Sequence, residues 1–175
     1  MKFTELKLKG AYLIEAGELK DGRGVFYRQF CRRELQNAGI DFEICQCSVS
    51  KNNKTGTLRG LHFQTEPFAE KKLVTCMNGA MFDVIVDIRE DSPTYLQWES
   101  IELNGNDTKV LYIPKGFAHG FQTLQDNTLV YYQMENYFAP DACKGFKWND
   151  PKLGIQWPDE INRTINDRDN SYELL

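Results

Sequence analysis

Apolar and polar residues alternate with period 2 through much of this chain, and turn residues interrupt the alternation at about the 8–12-residue spacing of all-β sandwiches and barrels. Successive side chains of a strand point to opposite faces, so such a chain buries its apolar set only by pairing strands and packing the sheets together. The pattern predicts a mainly β fold of short antiparallel strands with a few short helices. Residues 81–88 show it best: Phe82, Val84, Val86 and Ile88 fall on one face, Asp83, Ile85 and Asp87 on the other. Asn78-Gly79 just before them is a hairpin-turn signal. Further strands are expected over 11–15, 25–30, 43–50, 57–64, 72–77, 98–103, 109–113, 120–124 and 128–137. Helical periodicity is confined to 32–38, stopped by Gly39, with a further turn at 159–163. From Asn149-Asp150-Pro151 through Trp157-Pro158 to Leu175, turn residues and two large aromatics predict ordered coil wrapped over the sheets.

At 175 residues, with no internal repeat and no Pro/Gly/Ser linker, the chain is expected to form one domain over 1–175. Its 21 basic and 25 acidic residues give a net charge of −4 without long runs. That leaves no basic face for a nucleic-acid backbone. No apolar stretch approaches the ~18 residues of a membrane helix, and the start lacks the apolar core of a secretory signal, which points to the cytosol. The five cysteines, Cys31, Cys45, Cys47, Cys76 and Cys143, are odd in number and show no C-x-x-C spacing. They read as reduced thiols, several of them buried, rather than a disulfide framework or a structural zinc site.

Chemistry is sought first at the two histidines. His62 lies in Thr57-Leu-Arg-Gly-Leu-His-Phe-Gln64, three residues after Arg59. Strict alternation puts the two on opposite faces; for both to face one pocket, Gly60 must mark a bulge. A core histidine with an exterior arginine fits the pattern equally. His119 lies in Ile113-Pro-Lys-Gly-Phe-Ala-His-Gly-Phe121 and reads also as a turn residue. Tyr132 shares a strand face with Val130 and Met134, where packing is its commoner role, and Lys72 opens an apolar strand as many edge lysines do. A metal-bearing barrel would need about three imidazoles and a His-x-His pair, which are absent. Dinucleotide, P-loop and serine-hydrolase motifs are absent too.

Taken together, Arg59-Gly-Leu-His-Phe-Gln64, Lys72-Leu-Val74, Phe82 to Arg89 with Ser92-Pro-Thr94, Ile113 to Phe121, and Trp148-Asn-Asp-Pro-Lys-Leu-Gly-Ile-Gln-Trp-Pro158 resemble the dTDP-4-dehydrorhamnose 3,5-epimerase family. The match runs in order from about Asp21-Gly-Arg-Gly24 to Asp167-Arg-Asp169. The resemblance implies a cupin jelly roll, usually a homodimer, that needs neither metal nor organic cofactor and binds a nucleotide-diphosphate sugar. By motif, His62 matches the family's general base, Asp169 the carboxylate that partners it, and Tyr132 the acid on the opposite sugar face. Lys72 and Arg59 match cations near the 4-keto oxygen and the diphosphate, and His119 a substrate-contacting histidine. Arg23 and Phe26 match the nucleotide end, while Gln46, Arg28 and Arg168 complete the expected substrate-binding set.

The implied activity is epimerisation at C3 and/or C5 of dTDP-4-dehydro-6-deoxyglucose through an enolate. The sequence departs from the family pattern at Arg28, at Gln46-Cys47-Ser48, at Lys71 and at Gln133-Met134-Glu135. The first two lie toward the nucleotide and keep a cytidine-diphosphate sugar open; the last two are expected near the sugar. The competing readings are a sugar 3,4-ketoisomerase and a saccharide-binding jelly roll with no activity.

Overall fold

The computed structural model describes residues 1–159 and 162–175. In chain order its strands are β1 (Lys2–Glu5), β2 (Tyr12–Glu15), β3 (Glu18–Asp21), β4 (Gly24–Tyr27), β5 (Gln46–Asn52), β6 (Leu58–Gln64) and β7 (Lys72–Asn78). They continue with β8 (Ala80–Asp87), β9 (Trp98–Asn104), β10 (Lys109–Ile113), β11 (Phe117–Thr123), β12 (Thr128–Met134) and β13 (Cys143–Gly145). Helix α1 spans Arg32–Asn37 and α2 spans Asp167–Asn170. One sheet runs β1-β2-β10-β7-β12-β5, the other β13-β6-β11-β8-β9, and β3-β4 is a separate hairpin. The ladders joining these strands are antiparallel, and the two large sheets face one another as a jelly roll.

Three apolar layers explain the strand sequences. Between the sheets, Val74, Leu111, Ile113 and Val130 meet Met81, Ile85, Phe117 and Phe121. On the outer face of the larger sheet, Leu35 of α1 with Ile40 and Phe42 covers Ile14, Leu73, Val110 and Tyr112. On the outer face of the smaller sheet, Leu153, Ile155 and Trp157 cover Leu61, Val84, Val86 and Ala118, so the C-terminal stretch wraps as expected. A six-residue helix has no stability of its own in water. Helix α1 is held by burial of Leu35 and the neighbouring Phe42, each worth about 1.5–3 kcal/mol, and Gly39 at φ +78 turns the chain away after it. Both faces of β8 are covered, which is why it reads almost continuously apolar. Asp83, flanked on the inner face by Met81 and Ile85, and Asp87 at the strand's end are the exceptions.

Each of the ten expected strands exists. The short β1, β3 and β13, too brief to show alternation, go unseen in the sequence. Asn78-Gly79 does turn the chain, with Gly79 at φ +75, but β7 and β8 enter different sheets, so the turn is a corner of the sandwich and not a hairpin. His119 lies inside β11, buried, and not in a turn, because the strand begins at Phe117, before Gly120. Of the five free cysteines only Cys76 is buried; Cys47 is exposed on the edge strand β5 and Cys45 is exposed just before it. The turn expected over 159–163 includes residues 160 and 161, outside the described residues. Among the described residues, no helix is long and apolar enough to cross a membrane.

Candidate active site

The site begins with an irregularity in β6. His62 pairs with His119 across the ladder to β11, while Arg59, three residues earlier, pairs with Phe121, only two residues along β11. The extra residue in β6 is a bulge centred on Gly60, at φ +118. It returns Arg59 to the inner face, so Arg59 and His62 line one cavity of about 280 Å³ together with Lys72, His119 and Tyr132. A second cavity of about 280 Å³ shares His62 and Lys72 and continues past Glu70, Phe138, Cys143 and Arg168. The two form one cleft with His62 and Lys72 at its waist.

The bulge also frees a backbone donor. The Gly60 N–H donates to Asp169 Oδ2 at 3.0 Å, and Asp169 Oδ1 lies 2.7 Å from His62 Nε2. Asp169 is 1% exposed; burial pushes its carboxyl up, but the hydrogen bonds from His62 and Gly60 outweigh burial and hold it below the usual carboxylate range. An ionised Asp169 must accept a proton from Nε2–H, which leaves Nδ1 with the free lone pair. That is the tautomer of a base.

On inner-face positions opposite stands a second pair. His119 Nε2 is 2.8 Å from Asp83 Oδ1, and both are buried. Burial raises the Asp83 carboxyl, with His119 and Lys72 pulling against it, and Asp83 Oδ2 has no partner. The rings of His119 and Tyr132 meet edge to face at 6.1 Å. Burial first, then the charge of Asp83, drives the Tyr132 hydroxyl far above the ordinary phenol range, against the pull of Arg59. Tyr132 therefore carries its proton at neutral pH.

Cations complete the cleft. Lys72 Nζ is 3.2 Å from Glu70 Oε1, both largely buried. Arg59 is steered by Asn52, whose Oδ1 accepts from Arg59 Nε at 2.8 Å. Asn52 is itself 2% exposed and tied to the backbone of Ser50 and Thr128. Gln64 holds the mouth: its amide donates to the carbonyls of Phe68 and Tyr137 and its oxygen accepts from the Ala139 N–H, which sets Phe138 over the opening.

Of the residues expected from the sequence, His62, Asp169, Tyr132, Lys72, Arg59, His119 and Arg168 come together here. Gln46 does not line the cleft; its Oε1 accepts from the Phe138 N–H and so helps shape the mouth. Arg23 and Phe26 lie on the exposed β3-β4 hairpin, where Arg23 pairs with Asp21. Arg28 is turned to Glu34 of α1, beside the N-terminus. Lys71 and Glu135, expected near the sugar, pair with each other at 2.7 Å away from the cleft lining, so these two departures compensate one another. The sequence reading missed Asp83, Asn52, Glu70 and Phe138. Only Asp83 carried a signal, as a charge between Met81 and Ile85 on an inward face. A roomier cavity, about 540 Å³, lies at the turns near Asn78 and Asn104 and holds none of these groups. Among the described residues no cluster of three His, Cys, Asp or Glu side chains is arranged to hold a metal ion.

A jelly roll whose interior gathers a histidine–carboxylate pair, a protonated tyrosine and cations around one cleft is the layout of a cupin-type enzyme. The family model for dTDP-4-dehydrorhamnose 3,5-epimerase matches residues 5–175. A relative of that name from Sinorhizobium fredii is 40% identical over 175 residues, covering 100% of this chain and 90% of its own. The structure of a dTDP-4-dehydrorhamnose 3,5-epimerase from Bacillus anthracis, with TDP and PPi bound, superposes with a TM-score of 0.96 at 40% identity, covering 99% of both chains. A 3'-monoepimerase from Streptomyces bikiniensis in complex with dTDP-quinovose superposes at 0.91 with 32% identity, covering 97% of this chain and 86% of its own. This chain belongs to the dTDP-4-dehydrorhamnose 3,5-epimerase family and is an isomerase.

Proposed function

We propose that this chain, acting as one unit over 1–175, epimerises dTDP-4-dehydro-6-deoxyglucose at C3 and C5 to give dTDP-4-dehydrorhamnose, without a cofactor. The observation that carries the reading is the His62–Asp169 pair facing Tyr132 across a cleft lined with cations. A hydrogen next to a ketone is only weakly acidic, so the site must remove it and stabilise the enolate oxygen. His62 Nδ1 takes the proton while Asp169 supports the imidazolium. Lys72 offsets the charge on the 4-oxygen, a role worth about 3 kcal/mol per donor in a site that excludes water. Tyr132 delivers a proton to the opposite face, which inverts the centre; a single base would only reverse its own step. The same ketone acidifies C3 and C5, so one site serves both.

Arg59 and Arg168, with the exposed ring of Phe138 at the mouth, suit a nucleoside diphosphate: guanidinium groups pair with phosphate oxygens and an aromatic face stacks on a base. Thymidine is favoured because the relatives above are named for, or hold, thymidine nucleotides. The reading extends to a homodimer whose β3-β4 hairpins bring Arg23 and Phe26 to the neighbouring cleft.

Proton NMR in heavy water with dTDP-4-keto-6-deoxyglucose tests the proposal. The wild-type protein is expected to lose the C3 and C5 signals. His62→Asn is expected to lose neither, by the about 10²–10⁴-fold that a positioned base contributes. Tyr132→Phe is expected to exchange without inverting. Full exchange in His62→Asn, or full product from Tyr132→Phe, would remove that residue from its role. Exchange at C3 alone would make the protein a monoepimerase.

A further inference from the structure

We propose that Tyr172, three residues beyond Asp169, is a positioning residue for His62. Its ring walls the imidazole on one side and keeps Nε2 against Asp169, which makes the C-terminal segment part of the proton-transfer apparatus. The proposal rests on His62 being the base.

Four features of the structure converge on it. The Tyr172 and His62 rings meet edge to face, with centroids 6.1 Å apart and planes at 70°. Gly145 of β13 is the ladder partner of His62 in β6, and a Cβ there would lie 2.4 Å from two carbons of the Tyr172 ring. The ring therefore rests on bare backbone beside His62, in a place only glycine leaves open. Asp169 and Tyr172 are three apart across the end of α2, where Ser171 keeps helical dihedrals, so both project toward β6. Finally, the segment is fixed at both ends. Asn166 caps α2 by accepting from the Asp169 N–H at 2.7 Å, and the Leu175 N–H donates to buried Asp150 at 2.6 Å.

The reason such a wall matters is torsional. The histidine ring turns about a broad, shallow torsion, and one hydrogen bond to Asp169 leaves it free to pivot. Proton abstraction needs the lone pair aimed to within a fraction of an ångström. The ring of Tyr172, not its hydroxyl, meets that need: the buried Oη makes no hydrogen bond of ordinary geometry and lies beside the Arg168 guanidinium.

Deuterium exchange under saturating substrate, with dTDP affinity measured by calorimetry, tests the proposal in four variants. Tyr172→Ala and Tyr172→Leu are expected to lower kcat for exchange about 10- to 100-fold, the cost of misplacing a reacting group by about 1 Å, with the dTDP Kd unchanged. Tyr172→Phe is expected to restore the rate. Wild-type kcat in Tyr172→Ala or Tyr172→Leu overturns the proposal. So does an equal loss in Tyr172→Phe, which would assign the effect to the hydroxyl, and so does a loss confined to dTDP affinity. Leucine keeps most of the buried apolar volume but offers no flat ring face, so a fold lost in the alanine variant leaves the leucine result decisive. His62→Asn runs alongside: retained exchange there refutes the base itself, whereas an inactive His62→Asn with a fully active Tyr172→Ala refutes only the role of Tyr172.

Discussion

Asp169 sits in a four-residue helix, yet it decides which ring nitrogen of a histidine more than a hundred residues away carries the hydrogen. Its carboxyl is buried, which raises it, and hydrogen-bonded by His62 and the Gly60 N–H, which lowers it further than burial raises it. Because its folded value is depressed, it contributes stability that is fully present above the unfolded value of about 4. That contribution is lost as pH falls below about 4 and on through the folded value, as the unfolded chain binds the proton first. Asp169→Asn is therefore expected to flatten the decline of urea midpoints between pH 6 and 3 relative to wild type. It is also expected to cut exchange by about 10²–10⁴-fold, because Asn no longer demands the Nε2–H tautomer. Parallel midpoint curves for the two proteins would show that the carboxylate is not stabilised as described. The partnership of Asp169 with His62 was legible from the sequence through the resemblance alone, because no local pattern encodes a contact 107 residues long.

Among the elements, β6 matters most to the site. For Arg59 and His62 to share a pocket, their odd spacing needed a bend at Gly60, and the bulge is there. What the spacing could not reveal is the closeness of β11: a Cβ at residue 60 would come within 2.6 Å of the Gly120 Cα and 2.8 Å of the His119 carbonyl oxygen. Gly60→Ala would thus combine a positive φ with a backbone clash, and is expected to cost about 2–4 kcal/mol and to abolish exchange. Denaturant titration checks this; a stability change under about 0.5 kcal/mol would mean that β6 and β11 do not approach so closely. The motif Asp87-Ile-Arg89 with Ser92-Pro-Thr94 has a structural explanation at this scale. Asp87 accepts from the backbone N–H and two guanidinium nitrogens of Arg89 and from the hydroxyls of Ser92 and Thr94, closing the end of β8.

At the scale of the whole molecule, the β3-β4 hairpin exposes Leu19, Val25 and Phe26, with Phe26 70% accessible. A two-stranded hairpin alone is marginal in water, and exposed apolar side chains on it are the mark of a contact surface. The proposed homodimer predicts twice the chain mass by light scattering. It also predicts that hybrids of Arg23→Ala and His62→Asn chains regain exchange that neither parent has, since one cleft of each hybrid would be whole. A confirmed hybrid with no regained exchange would mean that each hairpin serves its own chain's cleft.

The sequence by itself determined the β class, ten of the strands, the helix at 32–38 and the covering C-terminal stretch, and through the resemblance it pointed to His62, Tyr132, Lys72 and Asp169 as the candidate site. Alternation and turn chemistry are local, and a run of motifs in order is specific. Only the tertiary structure decided which strands share a sheet, that Asp83 faces His119, that Lys71 and Glu135 neutralise each other away from the cleft, and that Tyr172 lies on Gly145 beside His62. The physical reason is common to all four. Each is a contact between segments remote along the chain, and such contacts are fixed by how the two sheets and the C-terminal segment pack, not by the residues on either side of them.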